Sequence, residues 1–354
     1  MGIKKLNKFL SEHNLVTQYS TLTRYVNVRR KDKIEHITNS NSIIVAVDFW
    51  LYAHKFTYSY GNMLIGFWNQ IIKLLSHKII PLYVYDGVPP QEKDLIIQYR
   101  QRKRTNMENK LNIILEDTYN NDNNENNQEN ERIRLEKSII YIKKSDIECV
   151  KQFFDILNIP YLNATGEADA LCAKLYKEGY IHACLSDDMD LLAHGCGRTI
   201  KFHEGKIYEF DLGHILTELK MTHEQFVEMC ILFGCDYIHG VKITIDDSYN
   251  LIKTYGTIEE IINSNDSDIL NKNNEKSVNF INNYHNAKNI FAQSVNNEII
   301  PENFKISLIS EIDYFTVFQY LKVYGQINFV NDNMQHIIES IEYVNNSISR
   351  GVFI

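Results

Sequence analysis

The stretch Ile43-Ile44-Val45-Ala46-Val47-Asp48 decides the fold, because five apolar residues, four of them β-branched, run directly into one carboxylate. A continuous apolar run of this length predicts a strand buried on both faces, as in a parallel sheet covered by helices. The run from Ile79 to Asp86 repeats the pattern, and a third run over 181–186 leads into a cluster of aspartates. Helical patterns separate these runs at 62–76, 145–158 and 167–178. This alternation predicts an α/β fold around a central, mostly parallel sheet flanked by helices.

Acidic residues follow the predicted strands, where open parallel sheets bind their ligands. With three more acids near predicted helix ends, the candidate cluster has seven members: Asp48, Asp86, Glu167, Asp169, Asp188, Asp190 and Asp236. Seven carboxylates in one place would repel one another unless cations neutralise them. Oxygen ligands without His or Cys favour Mg²⁺ or Mn²⁺ over zinc. Any single acid fits a turn or a helix cap equally well, so spacing alone leaves both interpretations open.

The composition excludes one class of nucleic-acid protein. Among 354 residues, 37 Lys and Arg stand against 45 Asp and Glu, which gives a formal net charge of −8. A protein that coats nucleic acid by bulk charge should be basic. Six scattered cysteines without a Cys-x-x-Cys pair predict a reduced, intracellular protein. No apolar run approaches the roughly 18 residues of a membrane span, and the start does not resemble a signal peptide.

An asparagine-rich segment interrupts the globular pattern. Residues 119–131 contain no apolar side chain after Tyr119, which predicts a solvated loop. Charged helical patterns at 91–116 and 131–144 flank it, so we expect a helical hairpin or arch. A second asparagine-rich stretch, 263–286, predicts another loop or a partly formed helix, and 311–348 predicts further helices.

The motifs, taken in order, resemble the flap endonuclease family of structure-specific nucleases, within the xeroderma pigmentosum G-like superfamily. The resemblance extends from Met1 to about residue 345. It is carried by Met1-Gly2-Ile3, Val47-Asp48, Tyr83-Val84-Tyr85-Asp86-Gly87-Val88-Pro89-Pro90, Ile159-Pro160-Tyr161-Leu162, Gly166-Glu167-Ala168-Asp169-Ala170, Asp187-Asp188-Met189-Asp190 and Cys230-Ile231-Leu232-Phe233-Gly234-Cys235-Asp236-Tyr237.

The resemblance implies a PIN-like nuclease fold that forms one compact catalytic unit. The implied regions are an N-terminal nuclease region at 1–105, an overlapping helical arch at 91–144, an internal nuclease region at 145–262 with a degenerate helix–two-turn–helix at about 238–255, and a C-terminal helical region at 263–354.

The implied activity is that of a Mg²⁺-dependent 5′ flap endonuclease with 5′–3′ exonuclease activity, used in DNA replication and repair. All seven acids match metal-binding carboxylates of the family, which holds two ions per site, and Mn²⁺ can substitute. Asp86, Glu167, Asp169 and Asp188 would centre on one ion. Asp188, Asp190 and Asp236 would serve the other. Asp169 stands where the family usually has a glutamate, so its reach is shorter by one methylene.

Basic residues of the arch supply the predicted contacts to DNA. Lys93 and Arg100 match family residues that reach the scissile phosphate, and with Asp188 they are the predicted catalytic residues. Gly2 matches a position where the missing side chain permits close approach of DNA. His54 stands where relatives place a base-stacking aromatic. Arg102, Lys103 and Arg104 extend the basic patch, although a solvated helix face explains them as well.

One motif departs from the family pattern. The glycine-rich helix–two-turn–helix, which grips uncut duplex and often a monovalent cation, is altered to Gly240-Val241-Lys242-Ile243-Thr244-Ile245-Asp246-Asp247. Gly240 and Lys242 remain candidate DNA contacts. Two acids beside a phosphate track should weaken binding, so we expect a weak duplex grip and no monovalent-cation site.

Partners and rival functions follow from the same comparison. We expect branched or flapped DNA as the substrate, no membrane, no sliding-clamp peptide and a monomer. The rivals are a junction- or bubble-cutting nuclease, a pure 5′ exonuclease, and a catalytically weak DNA-binding scaffold. We expect an intracellular protein at sites of DNA replication. A compact, asparagine-rich member fits a large DNA virus or a divergent unicellular eukaryote, so the nucleus and a cytoplasmic viral factory both stay open.

Overall fold

The fold is built on one mixed sheet. The computed structural model describes residues 2–3, 6–32, 42–120, 125–241, 243–264, 275–306 and 311–350. Within this part of the chain the strands are β1 (Thr17–Tyr19), β2 (Ile43–Asp48), β3 (Ile79–Tyr85), β4 (Tyr161–Asn163), β5 (Ala183–Leu185), β6 (Arg198–His203) and β7 (Lys206–Asp211). They form a seven-stranded sheet in the order β1-β7-β6-β5-β2-β3-β4.

The middle of the sheet is parallel, as predicted. Strand β2 lies between β5 and β3, with Val47 opposite Leu185 on one side and Tyr83 on the other. The pairs β3–β4 and β5–β6 are parallel too, whereas β7 pairs antiparallel with β6 and β1. Residues 43–47 are at most 4% exposed, which confirms a central strand covered on both faces. The carboxyl ends of β5, β2 and β3 therefore lie side by side at one edge of the sheet.

Helices cover both faces and extend beyond the sheet. They are α1 (Leu6–Glu12), α2 (Leu22–Arg29), α3 (Phe49–Tyr60), α4 (Met63–Ser76), α5 (Asp94–Asn120), α6 (Glu125–Ser138), α7 (Lys144–Ile156), α8 (Ala168–Lys177), α9 (Asp190–Ala193), α10 (Leu212–Leu219), α11 (His223–Phe233), α12 (Ile245–Tyr255), α13 (Ile258–Asn263), α14 (Glu275–Asn297), α15 (Tyr314–Tyr324), α16 (Ile327–Asp332) and α17 (Met334–Ser349).

Two apolar cores hold these layers together. The larger core packs helices such as α4 and α7 against the sheet, with Trp68 and Phe154 among its buried rings. The second core joins α1, α11 and α14 through side chains such as Phe9, Phe226 and Phe280. Strand β2 belongs to the first core, and α11 belongs to the second. The acids that follow these two elements therefore lie where the two cores meet.

The structure corrects the loop that the sequence predicts for 119–131. Helix α5 continues to Asn120 and α6 already begins at Glu125, while residues 121–124 lie outside the described part. A solvated helix needs no apolar face, because it satisfies its own backbone groups and gains from side-chain pairs one turn apart. Arg132 makes such pairs with Glu129 at 2.7 Å and Glu136 at 3.6 Å. The second helix also ends at Ser138, earlier than the predicted 144.

The later helical predictions hold with adjustments. The second asparagine-rich stretch, 263–286, contains the start of the long helix α14, and residues 265–274 lie outside the described part. The predicted helical tail, 311–348, appears as α15, α16 and α17. Among the described helices, none combines the length and the apolar character that crossing a membrane requires.

Candidate active site

Two acids stand at the carboxyl ends of neighbouring parallel strands. Asp48 ends β2 and caps α3, because its Oδ1 accepts a hydrogen bond from the Leu51 amide at 3.1 Å. Asp86 follows β3 directly and accepts from the Ala168 amide at 2.8 Å. The turn-and-cap interpretation is therefore correct for both acids, but each keeps a second carboxylate oxygen at the same edge of the sheet.

The start of α8 contributes the next two acids. Glu167 is the N-cap residue of this helix and Asp169 lies in its first turn. The turn before them is held by Glu298, a side chain only 3% exposed, which accepts from the amides of Thr165 at 2.7 Å and Gly166 at 2.8 Å. A residue far along the chain thus fixes the position from which Glu167 projects.

The end of β5 contributes the third pair. The Ser186 hydroxyl accepts a hydrogen bond from the Asp188 amide at 3.1 Å and donates one to Asp48 at 3.3 Å. The Asp190 amide donates to the Asp188 carboxylate at 3.0 Å. Asp188 and Asp190 are 9% and 3% exposed. This chain of bonds joins the carboxylates that follow β5 to the one that ends β2.

The N-terminal segment closes one side of the cluster. Gly2 has φ +66°, and a Cβ added there would lie 1.9 Å from Oδ1 of Asp188 and 2.4 Å from Oδ1 of Asp190. The next amide, that of Ile3, donates to Asp190 at 2.8 Å. The position therefore requires glycine because the backbone packs directly on two carboxylates.

Two cations of the arch reach into the acidic cluster. Arg100 of α5 donates to Asp236 at 2.6 Å. Lys93, just before α5, forms an ion pair with Glu167 and lies 3.8 Å from Asp236. The seven-residue spacing predicts that Lys93 and Arg100 face the same way, and in the structure both approach the Asp236 carboxylate. Tyr237 adds a hydroxyl that donates to Glu167.

The electrostatics of the cluster show that its charges crowd one another. Desolvation, together with the charge of Asp86, raises the pKa of Asp48 to about 7. Burial, as the larger cause, and repulsion from the Asp188 carboxylate, as the second, raise the pKa of Asp169 and of Asp190 well above the usual range. Burial alone would lower the pKa of Lys93, but the neighbouring Glu167 carboxylate raises it overall. The pocket therefore favours additional positive charge.

The donor set fits a hard divalent cation. It consists of carboxylate oxygens, which Mg²⁺ and Mn²⁺ prefer, and its raised pKa values show that cationic charge would stabilise the ionised form. Among the described residues no group of three or more His, Cys, Asp or Glu side chains is arranged to hold an ion as it stands. Lys93, Arg100 and backbone amides take up several of the carboxylate oxygens.

Four other predicted DNA-binding residues, His54, Arg102, Lys103 and Arg104, lie on α3 and on α5. Partial burial of its ring, and then the charges of Arg104 and Arg100, lower the pKa of His54, so this side chain of α3 faces the arch. Arg102 and Lys103 are exposed on α5, as a solvated helix face would be. The Arg104 guanidinium lies 5.2 Å from the centre of the Tyr141 ring.

In the altered helix–two-turn–helix, side chains of the motif itself bond to the backbone amides at the start of α12. Thr244 and Asp247 form a capping box at the start of α12, in which the Asp247 amide donates to the Thr244 hydroxyl at 3.0 Å. A Cβ on Gly240 would lie 2.5 Å from the amide nitrogen of Gly234, so close backbone packing explains this glycine. Lys242 lies outside the described residues.

Sequence reasoning missed three residues that build the site: Ser186, Tyr237 and Glu298. Ser186 ends the third predicted strand, and its position directly before Asp187 and Asp188 was the available signal. Tyr237 directly follows Asp236 within a quoted motif. Glu298 has no local signal, because only the folded chain brings it to Gly166.

Comparison with known proteins agrees with this geometry. Residues 1–107 match the XPG N-terminal domain and residues 158–236 match the XPG I-region. Flap endonuclease 1 from Saccharomyces cerevisiae is 31% identical over 276 residues, which are 74% of this chain and 68% of that protein. Flap endonuclease 1 from Salmo salar is 34% identical over 211 residues, which are 58% of this chain but only 53% of that protein.

A solved structure shows the same fold. The catalytic core of Rad2 (complex I) has a TM-score of 0.64 at 19% identity and covers 95% of this chain and 99% of that one. This likeness confirms the predicted nuclease fold, and the sequence matches confirm the predicted family. The chain belongs to the flap endonuclease family of the XPG superfamily.

Proposed function

We propose that this chain is a structure-specific nuclease that hydrolyses DNA phosphodiesters at 5′ flaps and also degrades 5′ ends, in DNA replication and repair. The observation that carries the proposal is the contact between the arch and the acidic cluster, in which Lys93 and Arg100 meet Glu167 and Asp236. Cations next to a crowded carboxylate pocket are suited to a phosphodiester, which is itself an anion.

The seven acids would hold two Mg²⁺ ions, or Mn²⁺ in their place. Such ions supply Lewis acidity toward the scissile phosphate and the attacking water. The protein supplies the positioning: Ser186 orients Asp48 and Asp188, and Glu298 holds the turn that carries Glu167. Gly2 keeps the floor of the pocket free of a side chain.

Lys93 and Arg100 would stabilise the charge that develops on the phosphate during cleavage. Both side chains lie at the base of the arch, where a single-stranded 5′ end would enter. Their positive charge would act on the transition state, which carries more negative charge than the bound substrate. Gly2, His54, Arg102, Lys103 and Arg104 would contact the DNA around them.

The duplex side of the substrate would be held weakly. Asp246 and Asp247 stand in the first turn of α12, where phosphates would otherwise meet free amides. We therefore expect Gly240 and Lys242 to contribute little affinity. We propose that the chain acts as a monomer inside the cell, at sites of DNA replication, and that its regions form one catalytic unit.

The decisive experiment compares cleavage of matched flap, bubble, four-way-junction and nicked DNA in Mg²⁺, with end labels that map the cut. A preference for the flap, with the cut near its base, supports the proposal. A preference for the bubble or the four-way junction would favour the junction nuclease. Binding without cleavage of any substrate would favour the DNA-binding scaffold.

A further inference from the structure

Helix α14 carries a stripe of amide side chains. Its members recur at alternating spacings of four and three residues, which places them on one face of the helix. They are Asn279, Asn283, Asn286, Gln293 and Asn297, with Ile290 at the remaining position. A neighbouring stripe that includes Phe280, Tyr284 and Phe291 is buried in the second core and anchors the helix. The amide stripe is exposed or half-buried.

The amide stripe forms one wall of a groove that leads to the acidic cluster. One cavity of about 240 Å³ lies between Asn279, Asn283 and Asn286 on one side and Tyr99 and Asp236 on the other. A second cavity of about 400 Å³ is lined by Asn286, Gln293 and Asn297 together with Glu167. Asn286 and Glu92 line both cavities, so the two adjoin.

The chemistry of the groove favours bases over phosphates. Within the described residues, no Lys or Arg lines either cavity, whereas Glu92 and Glu298 do. A phosphate would be repelled there, but amide groups both donate and accept hydrogen bonds and therefore match base edges. Tyr99 is 63% exposed and offers a ring on which a base can stack.

We propose that the groove between α14 and the base of the arch binds the unpaired bases of the single strand that adjoins the scissile phosphate. The inference rests on the proposed function, because the strand comes from a flapped substrate. The amides of α14 hydrogen-bond to base edges, and the sugar–phosphate backbone faces solvent. The asparagine content of this segment thus serves substrate recognition.

The test compares two flaps of equal length, one with normal bases and one with abasic sites, which keep the phosphates. The measured quantity is kcat/KM for flap cleavage in Mg²⁺. We expect the wild-type protein to cut the normal flap about tenfold more efficiently than the abasic flap, as the loss of one or two hydrogen bonds predicts. The double variant Asn286→Ala/Gln293→Ala should cut both flaps at the abasic rate.

The control is Asn282→Ala/Asn296→Ala, which removes two exposed amides of the same helix that lie off the stripe. It should keep the wild-type preference. Alanine is a good helix former, so neither pair of changes should unfold α14. Equal cleavage of normal and abasic flaps by the wild-type protein overturns the groove while leaving the flap nuclease in place. No cleavage of any flap overturns the proposed function itself, and the groove with it.

Discussion

Arg100 of the arch donates a hydrogen bond to Asp236 at 2.6 Å and so joins the helix that covers the pocket to the last of the seven acids. The carboxylate is 6% exposed and the guanidinium 43% exposed. The cation therefore reaches into the pocket from a solvent-accessible position, from which it can also meet a phosphate. This geometry makes Arg100 a direct test of the proposed chemistry.

Arg100→Ala should lower the single-turnover cleavage rate of a flap at least about tenfold, equivalent to roughly 1.4 kcal/mol of barrier. The physical reason is the loss of positive charge beside the phosphate in the transition state. Lys110→Ala, which removes an exposed cation from the same helix, should leave the rate unchanged. If both variants cleave at the wild-type rate, Arg100 is only a surface charge.

Asp188→Asn should abolish cleavage and largely spare DNA binding. The change keeps the size of the side chain but removes a charge from the centre of the acidic cluster, where a divalent ion would need it. Asp187→Asn is the matched control, because Asp187 is the adjacent acid, is 37% exposed and forms an ion pair with Lys55 outside the cluster. Cleavage in Mg²⁺ and DNA binding are measured side by side. Cleavage retained by Asp188→Asn would contradict the assignment of the metal site.

The sequence predicts the centre of this molecule better than its periphery, and the reason is physical. The run of residues 43–48 matches β2 at both bounds, because a strand buried on both faces must be apolar throughout. The acids at the strand ends follow from that strand assignment and from the geometry of parallel sheets. In contrast, α6 has no apolar stripe to mark its bounds, so the pattern predicts a helix over 131–144 where the structure has one over Glu125–Ser138.

Hydrogen bonds between residues that are far apart in the chain are the second feature that the sequence does not predict. The amides of Thr165 and Gly166 donate hydrogen bonds to Glu298, which lies more than 130 residues further along the chain. Nothing in the sequence around Glu298 indicates these bonds. The asparagines of α14 show the opposite case. Their heptad spacing is visible in the sequence, but its meaning depends on the groove that the folded arch creates.

Potassium should affect DNA binding little. The start of α12 is closed by the capping box of Thr244 and Asp247, and Asp246 adds a second acid to the first turn. Replacing Na⁺ by K⁺ at equal ionic strength should change the dissociation constant of a flap substrate by less than about twofold, since both salts screen charge alike. Titrations in the two salts check this. A large, K⁺-specific gain in affinity would show that the altered loop still forms a cation site.

His182 should make the folded state lose stability in acid. Its ring is 3% exposed and its Nδ1 accepts a hydrogen bond from the Ile44 amide at 3.0 Å, which requires the unprotonated nitrogen. Burial lowers its pKa to about 4, because it outweighs the opposing charge of Asp32, and Arg198 adds a smaller lowering effect. An unfolded histidine titrates near 6.5. The contribution to stability is therefore complete above about pH 6.5 and is lost as the pH falls toward 4.

The size of this effect follows from the linkage. Between pH 7 and pH 4.5 it amounts to about 2 kcal/mol of unfolding free energy. His182→Asn supplies an acceptor that does not titrate, so its unfolding free energy should fall less over the same range, even if the variant is less stable at pH 7. Urea denaturation of both proteins at the two pH values measures the difference, and the shifts of the other histidines cancel in it. Equal losses in the two proteins would mean that the buried ring does not control acid stability.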